Sequence, residues 1–477
     1  MDLVGCNSGA FPGSSAAFSR PTALRRRLSL AVLLSLAGLG LLLLAGLLLR
    51  SRVRLLRRLL LPVSVISGFV GLALGPYGAA VIPTAVVDTW AGLPGLLINL
   101  VFAALFLGVS VPSAGTLARL GGPLFRFGAF TVFGQYAVGI ALTAWVLNPL
   151  FATPELFACI LEVGFAGGHG TAAAMAVVFD DLGFEAGGAL GQMSATVGIV
   201  TAVVLGMMLV QWGVRRGYVH HVKTDPDTGR IPAEMEGQGF VEPEEQAPSS
   251  FGTVNPSVMD PLTLHLAIGL IAVLLGWVMQ QAIRGLHPSV AGFPLFPLAM
   301  IGGIGVQWAA ERLGVARYLD RATFQRIMGV SLDLLIVAAI ASLRLDLVLQ
   351  NVVPLALLMV AGIVWTAGVF VILAPRMLPV DWFEQGITLY GTQTGVTAVG
   401  LMLLRIVDPE NRTTAAQAFA ARAMVSSPLL GGGIVTAAMP LFIQAWGLEA
   451  VLLGTLGVMV VLWFAPLGQG RTRPAST

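Results

Sequence analysis

Charge is scarce in this sequence. Asp, Glu, Lys and Arg make up 11% of 477 residues, and a single lysine, Lys223, stands among 27 basic residues. A soluble protein carries about 25% charged residues, so a water-facing body of this size lacks the polar surface to cover itself. Cysteine is equally short. Cys6 and Cys159 lie far apart, which excludes a disulfide framework or a thiolate metal cluster. Five histidines are spread along the chain, with no HExxH, no GxSxG and no Walker-type loop. An enzyme, even one pairing His169 with Glu162 or Asp180, then lacks a nucleophile or metal constellation, and an ATP-driven pump lacks its phosphate cradle. The basic residues form no patch of the kind that binds nucleic acid.

What is present is apolar length. Runs of about 20 residues, enough to cross about 30 Å of hydrocarbon, recur near 28–49, 60–82, 92–113, 127–148, 189–213, 261–283, 292–310, 327–346, 351–375, 415–443 and 447–467. The chain therefore reads as an all-α integral membrane protein of about 10–11 transmembrane helices. Residues 1–27 read as a flexible tail. Five arginines from Arg50 to Arg58 separate the first two helices, and the polar stretch 214–258 is the one long hydrophilic insertion. With the arginine cluster cytoplasmic, almost every basic loop falls on that side; Arg20 and Arg25–Arg27 dissent. The arginine bias points to a bacterial cell (plasma or inner) membrane.

Two apolar segments are too broken to be ordinary helices. The first, 156–185, contains Ala166-Gly167-Gly168-His169-Gly170-Thr171; the second, 382–405, contains Gly391-Thr392-Gln393-Thr394-Gly395-Val396-Thr397. Glycine lets the backbone leave helical geometry and approach a ligand closely. Irregular backbone at membrane depth must be buried or line a wet cavity, where half-helix N-termini attract anions and carbonyls or hydroxyls hold cations. Counting both segments as re-entrant loops restores the arginine pattern. Each follows the fourth helix of its half and precedes the fifth. The expected domains are a first repeat at 28–213, a cytoplasmic linker at 214–258, an inverted second repeat at 259–443 and an extra C-terminal helix with tail at 444–477. An interrupted pair in inverted repeats is the sequence pointer to a secondary-transporter site.

These strings resemble the sodium/glutamate symporter family. Its Ser/Ala-Gly-Gly-His-Gly-Thr motif matches Ala166–Thr171 and the small residues to Ala174, and the likeness continues through Phe179, Gly183-Phe184 and Ala195-Thr196-Val197-Gly198. The stretch Leu97–Ala104 and the helix from Phe324 to Leu345 are also similar. The second motif departs from the family's Gly-Ala-Thr-Pro-Thr-Ala, having no proline between Gly391 and Ala398. The resemblance implies two inverted five-helix repeats, a homodimer and sodium-coupled uptake of glutamate or a related small carboxylate, with substrate held between the loop tips. Proton coupling is the alternative, and no cofactor is expected.

The substrate-binding candidates are Gly167, Gly168, His169, Gly170, Thr171, Thr392, Gln393, Thr394, Gly395, Thr397 and Arg422, with Gly391 shaping the second tip. His169 either donates to a substrate carboxylate or proton path, or caps a loop carbonyl. Arg422 either forks onto a carboxylate or snorkels to the surface. Ion-coupling candidates are Glu162, Ser194, Thr196 and Asp333; charge at membrane depth is a functional hypothesis by default. Asp333, near the start of the helix expected at 327–346, is either a cation ligand or an interfacial residue.

Overall fold

The computed structural model describes residues 21–58, 61–109, 114–219, 251–284, 293–409 and 412–464. Most of the expected tail and most of the 214–258 linker lie outside the described residues, as does everything after Phe464. Among the described residues every regular element is helical, and eight helices are long and apolar enough to cross a membrane.

The first half of the chain contains α1 (Pro21–Arg52), α2 (Val63–Leu74) and α3 (Thr84–Ala104). A long helix follows, α4 (Ala118–Phe151), then a helix–break–helix of α5 (Ile160–Phe165) and α6 (Gly168–Asp181), and α7 (Gly187–Arg215). The second half repeats this order with α8 (Pro261–Arg284), α9 (Leu295–Arg312), α10 (Arg321–Ala341) and the long α11 (Val352–Met377). Its helix–break–helix is α12 (Trp382–Thr394) with α13 (Thr397–Val407); α14 (Ala415–Ser426) and α15 (Ile434–Phe464) close the chain. The helices sort into two packed groups. In one, α10 lies against α2 and α3, and α9 joins α3 to α8; in the other, α7 backs both broken segments while α4 packs on α11, α14 and α15.

Both long helices change pitch near their ends. A π-helical turn occupies Thr143–Leu147 in α4 and Val369–Leu373 in α11. Pro149 and Pro375 follow at the same spacing. A proline ring in a helix collides with the carbonyl four residues back, here Trp145 and Val371, the middle residue of each π turn. The wider turn makes room for the ring. Left-handed residues, Ala152 at φ 51° and Asp381 at φ 44°, then turn the chain into the broken segments.

Several sequence expectations change. The single span expected over 415–443 is interrupted: α14 ends at Ser426, and Gly431 (φ +65°) and Gly432 (φ +107°) hold a non-helical turn before α15. The helix expected at 447–467 continues α15 beyond a kink at Gly447 as far as Phe464, and 465–467 lie outside the described residues. In α10, the Asp320 carboxylate accepts from the Thr323 backbone N–H at 2.9 Å and starts the helix six residues earlier than the apolar run suggests. Asp333 thus sits mid-helix, exposed, beside Ser64.

Candidate functional site

The site grows from three interruptions that meet. Between α5 and α6 the chain breaks helical geometry at Gly168, whose φ is +71°. It breaks again at Gly395 and at Val396, whose backbone is extended, before α13 begins. The two tips touch: a Cβ on Gly168 would lie 3.1 Å from Val396 Cγ1. Behind them, α7 presents small residues. A Cβ on Gly198 would fall 2.2 Å from the Thr394 carbonyl oxygen, so only glycine admits the second tip at this depth. Gly198→Ala is expected to lower stability by about 1–3 kcal/mol through overpacking, read as a fall in the thermal midpoint of the purified protein. An unchanged midpoint would mean that the tip does not seat against α7.

A cavity of about 80 Å³ lies where the interruptions converge. Ala166 lines it from the first, Thr392, Gln393 and Thr397 from the second, and Ser426, Ser427 and Gly431 from the third. Arg422 reaches it from α14. This arginine is only 7% exposed, and its Nε is buried without a hydrogen-bond partner. Gly128 on α4 leaves it room, since a Cβ there would come within 3.2 Å of Nε. Gln393 Nε2 donates to the Gly128 carbonyl at 2.8 Å, and Gln135 Nε2 donates to the Gln393 carbonyl at 2.7 Å. The cavity also receives the N-terminal turn of α13 at Thr397. A helix N-terminus carries partial positive charge, so this helix end and the guanidinium favour an anion here.

Glu162 lies behind this cavity and holds its third wall. Its carboxylate is fully buried and accepts three hydrogen bonds, from Tyr136 Oη at 2.5 Å, Thr436 Oγ1 at 2.9 Å and the Gly431 backbone N–H at 3.1 Å. The Thr436 hydroxyl in turn accepts from the Gly432 N–H at 3.0 Å. One carboxylate thereby ties α5, α4 and the turn between α14 and α15 together.

The sequence-derived candidates divide by place. Thr392, Gln393, Thr397 and Arg422 line the cavity. His169 is buried on the α7 side, with Nε2 3.0 Å from Thr196 Oγ1. Thr196 donates its hydroxyl proton to the Gln192 carbonyl, so the ring nitrogen is the donor in that pair. The His169 carbonyl accepts from Gln192 Nε2 at 3.0 Å. Gly167 packs on Thr171, and Gly170 packs towards Leu332 of α10. Thr171 Oγ1 donates to the Gly431 carbonyl at 3.4 Å, joining the first interruption to the third. Ser194 Oγ is buried without a partner beside Gly164. Thr394 turns to a separate small cavity, and Asp333 stands apart on α10. Sequence reasoning missed Tyr136, Gln192, Thr436 and the third interruption, for which the string Ser426-Ser427-Pro428-Leu429-Leu430-Gly431-Gly432-Gly433 was the available signal.

The sequence model of the sodium/glutamate symporter family matches residues 28–382. The match covers the first broken segment and ends where α12 begins, leaving the second tip and Arg422 beyond it. No curated protein sequence matches the chain. Taken with eight membrane-length helices and a matched stretch that spans most of the sequence, the chain belongs to the sodium/glutamate symporter family.

Proposed function

We propose that this protein is a secondary transporter that carries glutamate, or a closely related small carboxylate, together with sodium by alternating access. Family membership implies sodium-coupled glutamate transport rather than catalysis. The observation that carries the substrate reading is Arg422: a guanidinium 7% exposed, unpartnered at Nε and facing a cavity. Buried charge without a partner is strongly destabilising, and a carboxylate is the partner whose geometry a guanidinium fork fits. Thr392, Gln393, Thr397, Ser426 and Ser427 offer hydroxyl and amide groups around it. Gly167, Gly168, Gly170, Thr171, Gly391 and Gly395 shape the tips, His169 positions the first tip on α7, and Glu162, Ser194, Thr196 and Asp333 are candidates for ion coupling.

The two helix–break–helix segments act as re-entrant loops in inverted repeats, 28–213 and 259–443, joined by the 214–258 linker. Supporting this reading, each follows the same π turn, proline and left-handed residue. The resemblance carries the homodimer, and the arginine bias carries the bacterial cell membrane. The test is uptake of labelled glutamate by proteoliposomes with an inward sodium gradient, against choline at equal ionic strength. Accumulation that collapses when the gradient is dissipated is expected. Folded protein that takes up no glutamate would defeat the substrate assignment, and uptake indifferent to every cation gradient would defeat the coupling.

A further inference from the structure

A second cavity lies between α4, α11 and α12. Its volume is about 10 Å³, room for a single water-sized occupant. Five oxygen-bearing side chains are among the residues that line it, each more than nine-tenths buried: Thr131, Thr366, Tyr390, Gln393 and Thr394. Tyr390 Oη, Gln393 Oε1 and Thr394 Oγ1 have no hydrogen-bond partner. The other two have already given away their protons, Thr131 to the Phe127 carbonyl and Thr366 to the Ile363 carbonyl, so each has only lone pairs left to offer. Buried polar atoms are nearly always satisfied. Three orphans around one small space call for an occupant.

We propose that this cavity binds the coupling ion, a dehydrated alkali cation of sodium's size, and that Thr131, Thr366, Tyr390, Gln393 and Thr394 supply its oxygens. The assignment rests on the transport reading above and gives its coupling ion a place. Hard cations take oxygen ligands, and divalent ions of this class are held through carboxylates. No carboxylate lines this cavity, so its neutral oxygens suit a monovalent ion. The backbone adds to the field. Gln393 and Thr394 are the last two residues of α12, the end at which a helix carries partial negative charge. Of the residues at this interruption, Thr394 at the C-terminal end of α12 borders only this cavity and Thr397 at the N-terminal end of α13 only the anion cavity. A π turn contributes Val369 and Phe370 to the wall, and such turns recur at functional sites.

Gln393 borders both cavities. Its Nε2 is held by the Gly128 carbonyl, beside Arg422, and its Oε1 is free to ligate the ion. An ion on Oε1 fixes the amide that forms the wall of the carboxylate cavity, so sodium binding prepares the anion site before substrate arrives.

The test needs no substrate. The thermal midpoint of the purified full chain is followed while sodium chloride replaces choline chloride at constant ionic strength. Sodium that binds the folded state raises the midpoint by mass action. Thr394→Val and Tyr390→Phe, each lacking one oxygen, are expected to move half-saturation to about tenfold higher sodium or beyond, while Thr394→Ser stays near the parent value. If Thr394→Val does not fold, Tyr390→Phe decides alone, because it removes an orphan hydroxyl and keeps the ring. A parent protein indifferent to sodium, or variants that titrate like the parent, would overturn the site and leave the cavity to a water molecule. Sodium binding that obeys this pattern in a protein without glutamate uptake would sink the substrate reading and spare the ion site.

Discussion

Arg422→Met is expected to abolish substrate binding and, in the same protein, to raise the stability of the substrate-free form. The two effects have opposite signs because the arginine is buried without a partner. Exchanging a buried ionic group for an apolar side chain of similar volume is often stabilising, by about 1–4 kcal/mol. Losing a close buried charge contact with a ligand costs about 2–5 kcal/mol, roughly thirtyfold to several thousandfold in affinity. Arg422→Lys keeps the charge and loses the planar fork, so it should retain part of the binding and none of the added stability. Calorimetric titration with glutamate and a thermal melt without it read the two halves separately. A methionine variant that binds normally would remove Arg422 from the site, and one that is destabilised would show that its charge is compensated in the empty protein.

The second large effect is expected at Glu162. Glu162→Ala strands the Tyr136 hydroxyl, the Thr436 hydroxyl and the Gly431 N–H, all three deep in the fold. An orphaned buried donor costs about 1–3 kcal/mol, so the substitution should remove on the order of 5 kcal/mol and free the turn between α14 and α15. Glu162→Gln keeps one acceptor oxygen and aims an NH2 at a donor, which places it between alanine and the parent. Thermal melts of the three proteins order them, and uptake well below the melting range shows whether the freed turn also spoils the cavity. Parent-like stability in the alanine variant would refute the clamp.

The membrane class, most helices and both tip interruptions were legible because they depend on local chemistry: long apolar runs, and glycines clustered with hydroxyl residues. The third interruption was hidden by the same rule. Leucine, valine and alanine on either side of Gly431–Gly433 keep the stretch apolar, and a glycine cluster in a membrane helix can equally mark close packing. The early start of α10 escaped because a capping aspartate and a polar first turn lie outside any apolar window. Glu162 stood out as a charge at depth, yet its partners come from residues 26, 269 and 274 positions away. Arg422 was readable as an anomaly, and only the packing of α14 on α4 shows that it faces inward.

The π turns also have a consequence for register. Along α11 the buried face runs through Leu355, Leu358, Gly362 and Thr366 to Val369 and Phe370 in the π turn, and continues at Ala374 and Met377 beyond it. A π turn holds, in effect, one surplus residue, and one residue is about 100° of helix rotation. Each long helix therefore hands its broken segment to the core turned by that angle from where the same helix without its π turn would place it. Deleting that residue would leave the composition almost untouched and point the tip a quarter-turn away from its partner.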